Sequence, residues 1–280
     1  MIRPEEFDAA VKANPRSREP FVMEFLDHAL ALLSGHVEVW EEGIPLFRAQ
    51  VGGDLVADCY LDDQERPGIR AFDSGRMIPV RSEDGGRFHF KDESSFYFSA
   101  EMETAIKEMK PGRGTELSVA LFKTLRRLKL VIIREWQWAI KDQLKEARGG
   151  VLSSEQFDQK FMASLYRWCS SPLSCGCEAD EYALTQRLAE HFRENEFDGI
   201  VYESAADEGK YVGALFCPQH ADPQQYFPTI VAFQQCVMHR VARLDVVLDL
   251  EYEKNPFVLP SDKQCLLAKD MMGAGSVLES

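Results

Sequence analysis

The hydrophobic pattern changes period several times along this chain. Residues 19–34, EPFVMEFLDHALALLS, place Phe21, Phe25, Leu26, Ala29 and Leu32 or Leu33 at helical spacing, which predicts an amphipathic helix ending near Gly35. HVEVWEEGIPLFRAQV (36–51) alternates and turns at Gly43-Ile44-Pro45. It predicts a short strand, a turn and a second strand carrying Arg48. Residues 52–86 are rich in Gly, Asp, Pro and Arg and predict a long, partly irregular excursion. Phe96-Tyr97-Phe98 then reads as a short strand. Ser99 stands at an N-cap position, with Glu101 and Glu103 in the first turn of a helix that runs to about Lys110 and stops at Pro111-Gly112.

Further along, LSVALF (117–122) and LKLVII (128–133) are strand candidates, and residues 154–168 and 181–194 read as helices. FDGIVYES (197–204) is a turn into a strand, YVGALF (211–216) is another strand, and VARLDVVLDLEYE (241–253) reads as extended. No internal repeat, low-complexity tract or clean linker divides the chain. The simplest organisation is a single mixed α/β (α+β) domain with an N-terminal helical extension and a helical insertion at about 134–194.

Composition narrows the function. The chain has 280 residues, 45% hydrophobic and 28% charged, a balance that can bury a sizeable core. Its formal net charge of -14 argues against nucleic acid or an anionic membrane as partner. The densest basic cluster, Arg126 to Lys129, reads as a solvated helix end or strand edge. Seven cysteines at irregular spacing fit reduced thiols. The first twenty residues lack the apolar run of a secretion signal, and no stretch is long enough to span a bilayer. The expected location is the cytoplasm, or another cell's cytoplasm reached by a leaderless route.

Chemistry concentrates in GGRFHFKDESSFYFSAEMETAIKEMKP (85–111). Arg87 precedes Tyr97 by ten residues, across a segment long enough for a hairpin, and Glu108 follows toward the end of the next helix. A guanidinium fork pairs with pyrophosphate oxygens, a tyrosine ring offers a stacking face, and a carboxylate binds sugar hydroxyls and stabilises an oxocarbenium-like transition state. A strand-to-helix junction can aim Tyr97 and Glu108 into one cleft at a sheet edge. Together these groups suit cleavage of the nicotinamide–ribose bond of NAD. Taken singly, Arg87 also fits a surface arginine, Tyr97 a core residue, and Glu108 a helix-surface pair with Lys107 or Lys110. His89 is a hydrogen-bond donor beside Arg87 whose charge would vary with pH, and a solvent-exposed loop position is expected for it. Cys169, Cys175 and Cys177 lack the spacing of a zinc site, so no metal is expected. Trp136 and Trp138 read as core or interface anchors, and the Gly-Ala-Gly of the tail lacks the context of a phosphate loop.

The order of motifs resembles the RES family. It comprises FRA at 47–49, GR at 86–87, Tyr97, TAIKEMKP at 104–111, and FDGIVYES followed by GALF. The resemblance covers roughly residues 44–216, leaving 1–43 as the helical extension and 217–280 as a C-terminal extension packed on the domain with a mobile tail. It implies a fold similar to the split-sheet ADP-ribosyltransferase architecture. It also implies a toxin-like enzyme that consumes NAD by hydrolysis or phosphorolysis. The alternatives are transfer of ADP-ribose to a protein, or binding without turnover. By resemblance, Arg87 is the motif arginine and Arg48 the earlier strand arginine; both would hold phosphate. Tyr97 would stack near nicotinamide or its ribose. Glu108 would bind ribose hydroxyls, and Ser204 would make one hydrogen bond to ribose or phosphate. Arg76, in a second glycine–arginine pair, is the runner-up to Arg87. Two family asparagines are replaced, one by Phe88-His89 and one by Tyr211-Val212. The implied partner is a cognate antitoxin or immunity protein. The segments outside the match are open to use as dimer contacts, partner contacts or extra packing.

Overall fold

The structure, a computed structural model, describes residues 4–60, 67–134, 154–170, 178–241 and 250–252. Trp136, Trp138, Cys175, Cys177, the first part of the helical insertion and the tail lie outside the described residues.

The N-terminal part folds as α1 (Pro4–Ala13) and α2 (Pro20–Leu33). Pro20 sits in the first turn of α2, where its missing N–H costs nothing. Val22, Phe25, Leu26, Ala29 and Leu33 form the buried stripe. Phe7 of α1 stacks on Phe25 with ring centroids 3.8 Å apart. This face packs with α5 (Ser154–Ser170) and α6 (Glu178–Glu194) into one apolar cluster.

The sheet contains β1 (Val37–Trp40), β2 (Pro45–Val51), β5 (Ser95–Ser99), β6 (Glu116–Thr124), β7 (Leu128–Ile133), β8 (Gly199–Glu203), β9 (Tyr211–Phe216), β10 (Val231–Val241) and β11 (Leu250–Tyr252). Its order is β1-β7-β8-β9-β5-β2-β6-β10-β11, with β7–β8 the parallel pair. β3 (Asp54–Tyr60) and β4 (Pro67–Arg70) form a separate two-stranded ribbon within the predicted excursion. The excursion also holds the single turn α3 (Ser74–Met77).

The nine strands are two half-sheets. β5 and β2 share a single register pair, Phe47↔Ser99, whereas β5 and β9 share five. The halves therefore diverge beside β5. On β7 and β8 both faces are covered, so apolar residues run continuously: Val131 and Ile133 join the helical cluster, Leu130 and Ile132 the opposite one. That second cluster gathers Phe96, Phe98, Phe122 and Phe227, the last from α7 (Pro223–Ile230). A third, smaller cluster seats α4 (Met102–Glu108) through Ala105 and Ile106 against Ala49, Leu117 and Val119.

The expectation of one mixed α/β domain holds, and several local expectations change. β1 and β2 flank a turn but pair with β7 and β6 respectively, so they belong to different halves. Residues 37–40 and 231–241 are strands of the large sheet. Ser99 is not the N-cap of α4. Glu101 is, and Ser99 Oγ accepts from its N–H at 3.1 Å. The helix ends at Glu108, and Lys110 adopts a positive φ of 45° before Pro111 is reached. β5 lies inside the sheet, so Tyr97 faces the divide between the halves and not a sheet edge.

Candidate functional site

The divergence of β5 and β2 opens a cavity of roughly 800 Å³. Arg48 and Gln50 of β2, Arg76 of α3, Tyr97 of β5, Glu108 of α4, Tyr182 of α6 and Tyr202 of β8 line it, with Arg87 and His89 from the loop before β5. Residues separated by more than a hundred positions thus face one hollow. Its charged lining residues are three arginines and one carboxylate. In a chain of net charge -14, that is a local reversal of sign.

The Arg87 loop is held tightly. Gly86 N–H donates to His89 O at 3.0 Å, closing a four-residue turn with Arg87 and Phe88 between. Gly85 has φ +77°, and a Cβ on Gly86 would stand 2.4 Å from His89 Cε1 and 2.9 Å from the Tyr97 hydroxyl. Only glycine fits there. Gln186 of α6 donates to Gly86 O at 2.9 Å, and Arg87 donates to the Cys169 carbonyl of α5. The Arg87 guanidinium carbon lies 5.9 Å from the Tyr202 ring centre.

Tyr97 locks this loop to the sheet. Its hydroxyl accepts from Phe88 N–H at 3.0 Å and lies 3.2 Å from His89 Nδ1. Burial foremost raises the Tyr97 pKa, so the hydroxyl stays protonated. The hydroxyl and Nδ1 share one hydrogen bond, whose direction follows the tautomer of His89. His89 is therefore buried, at 7% exposure, and is not the solvent-exposed loop residue that the sequence suggests. Burial foremost, with Arg48 and Arg193 adding to it against Glu93, lowers its pKa to about 4.

That value gives an expected outcome. A histidine held neutral in the fold binds fewer protons than its unfolded counterpart at pH between about 4 and 6.5. Its contribution to stability is whole above that window and declines as pH falls through it. Denaturant titrations at pH 7 and pH 5 should show a lower stability at pH 5, and His89→Gln should reduce the difference. An imidazole signal for His89 titrating near 6.5 would overturn the assignment.

Arg48 lies at the cavity wall. Nη1 donates to Tyr97 O at 3.2 Å, the guanidinium carbon sits 5.5 Å from the Phe96 ring centre, and Nε is buried with no hydrogen-bond partner. Burial lowers its pKa to about 10, which still leaves it charged at neutral pH. With its amide oriented to satisfy both ends, Gln50 accepts from Arg48 Nη2 and donates to Arg76 O, each at 3.2 Å. Arg76 packs over Phe72 at 4.9 Å. Arg76 and Arg87 both line the cavity.

Glu108 Oε1 accepts from Ser204 Oγ at 2.5 Å. Ser204 Oγ in turn accepts from the N–H groups of Ala206 at 3.1 Å and Asp207 at 3.0 Å. Its proton and both lone pairs are used within the fold. Lys107, a candidate partner for Glu108, instead donates to Asp207 at 2.7 Å. Sequence reasoning missed Tyr182 and Tyr202. Tyr202 had a signal, since it lies in the FDGIVYES stretch on β8, two residues before Ser204. Tyr182 had none, because only the packing of α6 brings it to the cavity. Among the described residues, no group of three or more His, Cys, Asp or Glu could hold a metal ion, and no helix is long and apolar enough to cross a membrane.

No curated protein matches the chain. Among solved structures it is similar to one described as the crystal structure of the M. tuberculosis MbcT–MbcA toxin–antitoxin complex, with 9% identity and a TM-score of 0.35, covering 76% of this chain and 92% of that one. Comparison with protein families matches residues 69–234 to the RES domain. The match begins after the strand that carries Arg48, takes in Gly75-Arg76, Gly86-Arg87, Tyr97, Glu108 and Ser204, and continues into β10. Since it spans more than half of the sequence, the chain belongs to the RES domain family.

Proposed function

We propose that the chain consumes NAD by breaking the bond between the nicotinamide nitrogen and ribose C1′. The observation that carries this reading is the cavity: roughly 800 Å³, lined by three arginines, one carboxylate and several tyrosines, in an otherwise acidic protein. A dinucleotide needs cations for its pyrophosphate, flat faces for its rings and an anion near the ribose that develops positive charge. Arg48, Arg76 and Arg87 supply the first, Tyr97, Tyr182 and Tyr202 the second, and Glu108 the third. The neutral imidazole of His89 adds a hydrogen-bonding group on the same wall.

The electron pair of the breaking C1′–N bond leaves with nicotinamide, which departs neutral because it was cationic in NAD. The ribose becomes oxocarbenium-like, stabilised by the Glu108 carboxylate. An oxygen of phosphate or water then bonds to the same ribose carbon, the water losing a proton to solvent, and the product is the ADP-ribose phosphate ester or ADP-ribose. No activated nucleophile is required. Ser204 is saturated, and burial pushes the Cys169 thiol up to about 12, which makes it inert. A protein that drains a central cofactor needs restraint, and a cognate antitoxin or immunity protein is the partner this reading implies.

Incubation of the purified chain with nicotinamide-labelled and adenine-labelled NAD tests it. Release of nicotinamide supports the reading; the phosphate dependence of the second product separates phosphorolysis from hydrolysis. Label fixed on protein after addition of cell extract would instead indicate transfer. Arg87→Ala is expected to raise KM by roughly 10- to 100-fold, the loss of a charge-assisted hydrogen bond. A KM equal to that of the native chain removes Arg87 from the binding site, and intact NAD under all conditions removes the whole proposal.

A further inference from the structure

Helix α4 has seven residues, too few to be stable without tertiary contacts. Its N-cap residue, Glu101, makes no side-chain capping bond. Something outside the helix must therefore fix the height and rotation at which it presents Glu108.

The loop from Ser204 to Lys210, between β8 and β9, does this at several points. Ser204 N–H donates to Lys210 O at 2.7 Å and closes the loop, while Gly209 N–H donates to Glu203 Oε1 at 2.8 Å. Lys210 reaches Glu101 at 2.8 Å. Asp207 stands at the centre. Its Oδ2 accepts from Thr104 Oγ1 at 2.8 Å, and its Oδ1 from Lys107 Nζ at 2.7 Å. Thr104 lies one turn before Glu108, and Lys107 is its immediate neighbour. The backbone N–H of the same Asp207 donates to Ser204 Oγ, whose proton goes to Glu108. One residue therefore grips the helix through its carboxylate and the Ser204 hydroxyl through its amide.

An ordinary surface aspartate would have its carboxylate in water. Here it is 15% exposed, and both oxygens are engaged by a single short helix. Thr104 is fully buried, so its hydroxyl needs the acceptor that Asp207 provides.

We propose that Asp207 is a positioning residue, which holds α4 and the Ser204 hydroxyl in the arrangement that directs the Glu108 carboxylate into the cavity. The kinetic form of this inference rests on the NAD-cleaving reading above; its geometric form does not.

The experiment compares the native chain with Asp207→Ala, Asp207→Asn, Ser204→Ala and the Asp207→Ala/Ser204→Ala double variant. Asp207→Ala is expected to lower kcat by roughly 10- to 100-fold, the scale of a slight misplacement of a reacting group, with KM changed less than about threefold. Asp207→Asn keeps an acceptor for Thr104 and should recover part of the loss. Because both residues act through Glu108, the double variant should be no slower than the slower single one, whereas a general effect on folding would multiply the losses. Unchanged kcat per folded molecule, or multiplied losses, overturns the proposal. If Asp207→Ala does not fold, Thr104→Val and Lys107→Met break the same latch from the helix side and are held to the same kinetic criteria. If the native chain leaves NAD intact, the functional reading fails and the crystal structure of the Asp207 or Thr104 variant decides. Opening of the Ser204 Oγ–Glu108 Oε1 contact from 2.5 Å to beyond hydrogen-bond distance supports the latch, and its persistence refutes it.

Discussion

Glu108→Gln is expected to lower nicotinamide release by about a thousandfold, or ~4 kcal/mol of transition-state stabilisation, while NAD binding changes only a few-fold. The substitution is nearly isosteric. A glutamine oxygen can still accept from Ser204 Oγ, which the carboxylate does at 2.5 Å. The loop and helix are therefore retained, and the variable removed is charge. In the ground state NAD already carries its positive charge on the nicotinamide ring. In the transition state that charge would move onto the ribose, where a fixed carboxylate would act on it at short range in a cavity lined partly by tyrosines. The benefit of Glu108 thus lies mainly in the transition state, and its loss should appear in kcat. Single-turnover release with isothermal titration of NAD in the slow variant separates the two quantities. A glutamine variant that keeps more than about a tenth of the native rate would assign the charge stabilisation elsewhere in the cavity.

This outcome concerns a residue that could be read in the sequence, and the reason is local. Arg87, Tyr97 and Glu108 lie within one glycine-turn, strand and helix unit, and the order of those signals survives folding. The strands at 117–122, 128–133 and 211–216 were legible for a similar reason. Strands covered on both faces leave continuous apolar runs, and these occur in β6, β7 and β9. What stayed hidden depends on distance or on irregular backbone. β10 carries a register shift between Phe233 and Gln235, so its burial does not alternate and its sequence does not look like a strand. α7 begins at Pro223 and contains Pro228, and two prolines in eight residues disguise a helix. The burial of His89 follows from its bond to Tyr97 and from α6 lying over the loop, neither of which is written near residue 89. The divide between the half-sheets, which makes the cavity, is visible only as the solitary Phe47↔Ser99 pair.

That divide also sets the largest expected effect on stability. Phe96→Ala should destabilise the fold by about 3–5 kcal/mol, which for a chain of this size lowers the unfolding midpoint by roughly 10 °C. Phe96 is fully buried on β5, the strand at the divide. Its ring meets Phe122 of β6 edge to face at 4.9 Å and Phe227 of α7 at 5.7 Å. It therefore joins strands from both half-sheets where backbone pairing is weakest, so side-chain packing must carry the joint there. The same ring lies 5.5 Å from the Arg48 guanidinium carbon. Its loss should leave a cavity next to a cation whose Nε already lacks a partner, and NAD affinity should fall along with stability. Val39→Ala is the control. It removes an apolar side chain that is 55% exposed on β1 and should cost less than about 0.5 kcal/mol. If Phe96→Ala costs no more than Val39→Ala, the halves are held by something other than this aromatic contact. If it unfolds the protein at low denaturant while β5-independent probes on α1 and α2 remain native-like, the halves separate as units and Phe96 is the joint between them.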